Sequence, residues 1–348
     1  MNPVVKRTAL ASIVVAGIVV ATAMAAEEAS LNVGEVNVYS YRQPFLVQPL
    51  FEAFTAQSGI KVNVLFAKTG LVERLKQEGA NSPADLIFTV DVGRLSEAYA
   101  AALTQPVVSP ALAAAIPDIY REPDGHWYGL TRRARIIYAS RDRIVPNEAP
   151  KTYEELADPK WRGRICTRSG NHVYQVGLTA AMVAHYGEAK TEAWLKGIKQ
   201  NLARKPQGND RAQVKAIKEG ECDIALGNHY YYVLMQQNKE QAAWAKAVYP
   251  VFPTIGGSGT HVNISGMALT KASPNQENAV KLMEFLAGPM AQQMYAEQNY
   301  EYPILDGVPE TSALKAMGPM ISDSLPLADI SRHRSAAIKL VDKVGYND

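Results

Sequence analysis

Cysteine is nearly absent from this chain: Cys166 and Cys222 are the only two among 348 residues, so at most one disulfide can form. After the first 25 residues no segment is long and apolar enough to cross a bilayer, which excludes a later spanning helix. Neither sign of charge is in real excess, with 36 Lys and Arg against 34 Asp and Glu. That balance, without any basic block, excludes the electrostatic footprint of a nucleic-acid binder. No low-complexity tract occurs, and no His-x3-His spacing of the kind that holds zinc. The Gly-x-Ser-x-Gly elbow is missing too. Ser169, in Arg-Ser-Gly, therefore has no ordered His or Asp partner, and a secreted hydrolase using it or a carboxylate pair is a weak alternative.

What is present begins with an export signal. Lys6 and Arg7 form a positive n-region, Thr8 to Val20 is almost wholly apolar, and Ala23-Met24-Ala25 supplies a small-x-small cleavage pattern. A retained anchor is the competing reading, but the apolar run is short and no stop-transfer flank follows. No cysteine lies near the cut, so attachment through a lipidated N-terminal Cys is excluded. We expect residues 1–25 to be removed and a soluble mature protein to reside in a bacterial periplasm. With Lys6 and Arg7 gone, its charge is close to zero. Its length exceeds the usual single core, so two domains are expected. In an oxidising compartment Cys166 and Cys222 are expected to pair, at a gain of a few kcal/mol in loop entropy. Two buried free thiols are the alternative.

The chain opens with alternating strand and helix. Strands are expected at 35–39, 61–67 and 85–90, with helices at 45–57 and 70–78, a rhythm that gives an α/β sheet covered by helices. Residues 128–140 and 263–270 read as extended crossovers between two lobes, with a ligand cleft between them. A second α/β run lies between the crossovers: strands at 162–167 and 222–226, helices at 172–185, 192–202, 210–219 and 229–246. A last helix, 328–344, is expected to pack across the second lobe. The lobes become 33–132 with 262–312, and 133–261 with 313–348.

One spacing repeats. Cys166 stands eight residues before Tyr174, and Cys222 stands eight before Tyr230, the first of three consecutive tyrosines. A Cys166–Cys222 bridge would make their strands neighbours and bring both tyrosine segments to one sheet edge. Ser169-Gly170-Asn171 is placed to cap the helix carrying Tyr174, and Gly227-Asn228 precedes the helix carrying Tyr230 and Tyr231. All three phenols then fall in first turns at the carboxyl ends of strands, where dipoles and free N–H groups favour negative charge and ligands collect. An ionised phenol is a hard oxygen ligand suited to Fe3+. The competing reading packs Tyr230, Tyr231 and Tyr232 as amphipathic core residues with wet hydroxyls, and the tyrosines by themselves leave both open.

Longer stretches carry a resemblance. Val38-Tyr39-Ser40-Tyr41-Arg42-Gln43-Pro44, Ser82-Pro83-Ala84-Asp85, Asp158-Pro159-Lys160-Trp161-Arg162-Gly163, Ala203-Arg204-Lys205-Pro206-Gln207-Gly208, Gly227-Asn228-His229-Tyr230-Tyr231-Tyr232 and Asn263-Ile264-Ser265-Gly266 are similar to the periplasmic ferric-iron-binding proteins of bacterial ABC transporters. The likeness spans essentially the whole mature sequence, and the tyrosine pair opening a helix is its most specific element. It implies a two-lobed α/β periplasmic binding protein of type II, each lobe a mixed sheet flanked by helices. It further implies a non-enzymatic, monomeric carrier that hands Fe3+ to an inner-membrane ABC permease. Tyr230 and Tyr231 become iron ligands, and Tyr174 matches the third tyrosine used by one branch. A binding protein for a polyamine or an organic anion is the alternative within the same fold.

The departures from that family are informative. Where many members offer a His and a Glu from the first lobe, this chain has Gln43 and Val90, neither a plausible ferric ligand. Three phenolates leave iron positions open, and the resemblance fills them with a synergistic anion, carbonate. Arg42, opening the capping region of the first helix, and Arg133, on the crossover strand, are the expected anion holders. Gln43 would add a hydrogen bond. The two arginines show no carboxylate partner in the motifs, and a salt bridge is the competing role for each. His172 and His229 are expected to face solvent or to support the ligands, not to bind metal. Asp91 reaches the cleft or caps the next helix, and Tyr41 lines the cleft.

Overall fold

The computed structural model describes residues 34–348, and the expected signal segment, 1–25, lies outside them. Strand β1 (Glu35–Ser40) alternates Val36 and Val38 into the core and pairs in parallel with β2 (Lys61–Phe66) on one side. Between them, Pro44 fixes the start of helix α1 (Pro44–Ser58), since a proline at the first helical position loses no hydrogen bond. It also holds the preceding Gln43 extended, at φ −62° and ψ 143°. Arg42 and Gln43 therefore leave the sheet edge just before a helix N-terminus. Helix α2 (Leu71–Glu78), strand β3 (Leu86–Thr89), helix α3 (Val92–Ala100) and helix α4 (Pro110–Ala115) complete the opening run.

Strand β4 (Tyr128–Ser140) is 13 residues long and joins two sheets. Its first half, to Ala134, pairs with β8; from Arg135 onward it pairs with β6 and, at Ile137 to Ser140, with β7. The first sheet runs β2-β1-β3-β8-β4, and the second continues β4-β6-β5. In the second lobe β5 (Ile165–Cys166) leads to α5 (Val173–Asn201), then α6 (Asp210–Lys218), β6 (Ile224–Asn228), α7 (Tyr230–Gln237), α8 (Ala242–Lys246) and β7 (Val248–Val251). Strand β8 (Val262–Leu269) returns to the first sheet. There follow α9 (Gln276–Ala287), α10 (Pro289–Asn299), β9 (Tyr302–Pro303), which pairs with β4, and α11 (Ser312–Lys315). The tail forms α12 (Leu327–Arg332) and α13 (Arg334–Lys343).

Three helix boundaries differ from the sequence reading. The expected helix 229–246 breaks after Gln237, because the Asn238 side chain accepts from the Glu240 and Gln241 amides and turns the chain. The tail breaks at His333, and its first piece, α12, packs on α3 of the first lobe as well as on α5. The two helices expected at 172–185 and 192–202 meet at Gly187, whose φ of 78° only glycine adopts freely, and form one kinked unit. The disulfide is present: Cys166 and Cys222 are bonded with Cα atoms 5.9 Å apart. It ties β5 to the segment entering β6, and those two strands pair in parallel.

Candidate metal centre

Gly227 is where β6 is fixed. A Cβ there would stand 2.3 Å from the Tyr138 ring of β4, so only glycine admits that ring. The Tyr138 hydroxyl then donates to the Asn228 carbonyl at 2.6 Å. With the strand end held, the chain passes through His229 directly into α7, whose first two residues are Tyr230 and Tyr231. On the neighbouring strand the chain leaves Cys166 and enters α5 with Tyr174 in the first turn. Its cap is not the expected Ser169-Gly170-Asn171 but His172, whose Nδ1 accepts from the Tyr174 amide at 3.2 Å. Ser169 Oγ accepts only from the Asn171 amide, at 3.3 Å.

The phenols converge. The hydroxyls of Tyr174 and Tyr230 are 3.3 Å apart, and the rings of Tyr230 and Tyr231 have centroids 4.4 Å apart. Asn228 Nδ2 donates to the Tyr230 hydroxyl at 3.3 Å. Tyr232, a further 100° round the helix, points into the core with its ring centroid 6.4 Å from that of Tyr138. The three phenols line a cleft of about 610 Å³ that also holds Tyr41, Arg42, Gln43, Val90, Arg133 and His172. Among the described residues no group of three His, Cys, Asp or Glu could hold a metal ion. The uncommitted hard donors of the cleft are its tyrosines, since its one carboxylate among the described residues, Glu301, is paired with Arg42.

Cations surround these rings. The guanidinium carbons of Arg168, Arg133 and Arg135 lie 5.2, 5.4 and 6.0 Å from the Tyr174 centroid, and that of Arg211 lies 5.2 Å from the Tyr231 centroid. Asp210 is buried between Arg135 at 2.7 Å and Arg168 at 3.1 Å. Burial, with the neighbouring phenols Tyr174 and Tyr231, still pushes Tyr230 well above the ordinary phenol range. Burial likewise raises Tyr231, helped by Tyr174 and Asp210. Both stay protonated at neutral pH, so a metal bound by them would have to displace their protons. Burial works against the charge of Arg133, but Tyr174, Tyr230, Glu301 and Asp91 hold it more firmly protonated than a free guanidinium.

Arg42 departs from expectation. It is not without a carboxylate partner: Glu301, on the segment after α10, accepts from its NH2 at 3.0 Å and from its NH1 at 3.3 Å. Ser265 of β8 also accepts from Arg42 NH1. A motif scan misses this because Glu301 lies 259 residues away in the chain. Arg133 forms no ion pair among the described residues. Its NH2 reaches only the Ile264 carbonyl, at 3.4 Å, and its Nε has no partner. The Arg42 Nε is likewise unpartnered. These unsatisfied guanidinium atoms beside the cleft fit an anion.

The remaining candidates take structural places. His229 is fully buried and does not face solvent. Its Nδ1 accepts from the Ala134 amide at 3.1 Å and its Nε2 donates to the Tyr300 carbonyl at 2.8 Å, which clamps β4 to the segment after α10. Burial lowers its pKa to about 4. Burial, reinforced by Arg168, lowers that of His172 to about 3. Asp91 caps α3, accepting from the Arg94 amide at 3.1 Å, and Tyr41 caps α2, accepting from the Leu71 and Val72 amides at 2.9 and 3.0 Å. Arg135 was legible in principle: it stands two residues from Arg133 on a strand, hence on the same face. Asp210, Arg168 and Arg211 carried no such signal.

The fold is that of a two-lobed, type II periplasmic binding protein. The chain belongs to the bacterial extracellular solute-binding proteins, whose family model matches residues 81–319, and within them to the group formed by iron-uptake and ferric-iron-binding proteins. It is 44% identical over 315 residues to iron uptake protein A1 of Synechocystis, covering 90% of this chain and 87% of that protein. Ferric iron-binding protein A of Mannheimia haemolytica, solved in an open conformation, is 50% identical with a TM-score of 0.86, over 90% of this chain and 99% of that one. A Trichodesmium relative, solved in complex with iron and citrate ligands, is 42% identical with a TM-score of 0.87, over 90% of this chain and 100% of that one.

Proposed function

We propose that this periplasmic ferric-iron-binding protein holds Fe3+ through the phenolates of Tyr174, Tyr230 and Tyr231 and delivers it to an inner-membrane ABC permease. The observation that carries this reading is the 3.3 Å approach of the Tyr174 and Tyr230 hydroxyls beside the Tyr231 ring. Two phenols that close share one small cation readily once deprotonated. Three phenolates neutralise Fe3+, and the Arg133 charge and the Asn228 hydrogen bond favour the ionised phenols as iron displaces their protons. Gln43 and Val90 offer no ferric ligand, so a synergistic anion, carbonate, fills the open positions. Arg133 and Gln43 hold it, with Arg42 behind them. The protein acts as a monomer and as a carrier, not an enzyme, and reaches the periplasm by loss of residues 1–25. We take the lobe limits at 132/133 and 261/262; the first lies two residues before β4 changes sheets, between Ala134 and Arg135, and the second at the start of β8.

The test is loading of purified protein with a ferric salt in bicarbonate buffer. A phenolate-to-iron charge-transfer band should appear and bleach on addition of excess citrate. Protein that takes up no iron and stays colourless would overturn the reading.

A further inference from the structure

Glu301 is a second buried charge at the edge of the cleft, and the iron reading gives it no role. It is 4% exposed, lines the cleft, and is hydrogen-bonded on both oxygens. Oε1 accepts from Arg42 at 3.0 Å, while Oε2 accepts from Arg42 at 3.3 Å, from Ser265 at 3.1 Å and from Thr131. Four donors from the loop before α1, from β4 and from β8 thus converge on one carboxylate. The segment presenting it is constrained as well. Tyr300 is one of only two non-glycine residues with positive φ among those described, at 54°, and its carbonyl accepts from His229. The backbone is held in a costly conformation that keeps Glu301 turned inward.

The consequence is electrostatic. Of the two arginines on this side of the cleft, Arg42 has both terminal nitrogens committed to Glu301 and Ser265, whereas Arg133 forms no ion pair among the described residues and reaches only the Ile264 carbonyl. We infer that Glu301 is an internal competitor for the anion: it occupies Arg42 in the manner of a bound carboxylate and so sets how tightly the cleft holds carbonate. The planar fork of Arg42 is shared between a tethered carboxylate and a free planar anion that present the same two-oxygen edge. A site with both arginines free would bind the anion more tightly and give up iron more slowly. Glu301 is thus a positioning residue for Arg42, a role that rests on the anion part of the proposed function.

Bicarbonate binding is measured by calorimetry on the iron-free protein, and iron loss to citrate is followed by the visible band across a bicarbonate series. Glu301→Gln keeps the shape and removes the charge. It should tighten bicarbonate binding about tenfold, the scale of one charge-assisted hydrogen-bond pair, and slow iron loss in bicarbonate by a similar factor. In an Arg42→Gln background the gain should shrink to the smaller part that Glu301 exerts through the field it shares with Arg133. Should Glu301→Gln fail to fold, Glu301→Asp keeps the charge but withdraws it by one methylene, and should move bicarbonate affinity the same way by a smaller factor. Unchanged or weaker bicarbonate binding in folded Glu301 variants, or an equal gain with and without Arg42, overturns the inference. Failure of wild-type protein to form the band would instead strike the iron reading beneath it.

Discussion

The hydroxyl oxygens of Tyr174 and Tyr230 stand 3.3 Å apart although 56 residues separate them, each at the start of a helix that follows one of two paired strands. Neither phenol reaches the other by local geometry; β5, β6 and the disulfide behind them set the distance. Replacing either tyrosine by Phe keeps the ring and removes the oxygen. We expect Tyr174→Phe, Tyr230→Phe and Tyr231→Phe each to weaken iron binding by more than the ~10–100-fold that loss of an outer partner costs. Tyr232→Phe should keep both colour and affinity. Equilibrium competition with citrate, read by the visible band, checks all four, and loss of binding in Tyr232→Phe alone would reverse the register.

Proton release should accompany loading. Burial raises the pKa values of Tyr230 and Tyr231, so these groups enter the reaction protonated and iron must expel their protons. With three phenols involved, affinity should fall by up to about a thousandfold for each pH unit lost. Titrations at fixed bicarbonate between pH 8 and pH 5 measure this. Affinity that is flat over that range excludes coordination by three phenolates.

The iron-free fold has its own pH dependence. His261 is buried and its pKa is lowered to about 4, first by burial. A group with a depressed folded pKa contributes stability above its unfolded value, about 6.5, and loses it as pH falls through the folded value. Urea midpoints should therefore decline between pH 6.5 and 4, and His261→Gln should remove about 1–3 kcal/mol of that decline. An identical acid slope in the variant would assign the loss to other groups.

Thiol titration of denatured, unreduced protein should find no free cysteine. Serine at both Cys166 and Cys222 should lower stability by about 2–4 kcal/mol by denaturant unfolding. Iron affinity should fall with it, since the bond lies behind both ligand segments. An unchanged iron affinity would show that the pairing of β5 with β6 positions the tyrosines unaided.

Arg133, buried at the cleft with no ion pair among the described residues, is the direct test of the anion. Arg133→Ala should weaken iron retention in bicarbonate and shift the visible band, and Arg133→Lys should recover only part of both, because an ammonium offers no planar fork. Iron retention that ignores bicarbonate and both substitutions would remove the anion from the site.

The parts of the site that could be read from the chain are those encoded over short distances. Tyr230 and Tyr231 follow a strand that ends in Gly227-Asn228, and the 128–140 segment is a single strand. Both rest on residues within a few positions of each other. The cap of α5 was misplaced because histidine is an uncommon capping residue, and its Nδ1 accepts only in the neutral ring that burial enforces. Glu301 was invisible for a different reason. Its partners lie on the loop before α1, on β4 and on β8, and nothing in the residues flanking it announces a buried acid. Sequence shows which side chains are able to carry charge. Which charges cancel depends on how distant segments meet.

Strand β4 passes from one sheet to the other between Ala134 and Arg135, and Arg133 stands at that crossing. A change in the angle between the lobes would be taken up in part by the strand there, and would turn the cation relative to the Tyr174 ring. Shape and electric field are then one coordinate. Under the proposed function, a permease that altered the angle between the lobes would also turn that cation, with no separate signal sent to the site.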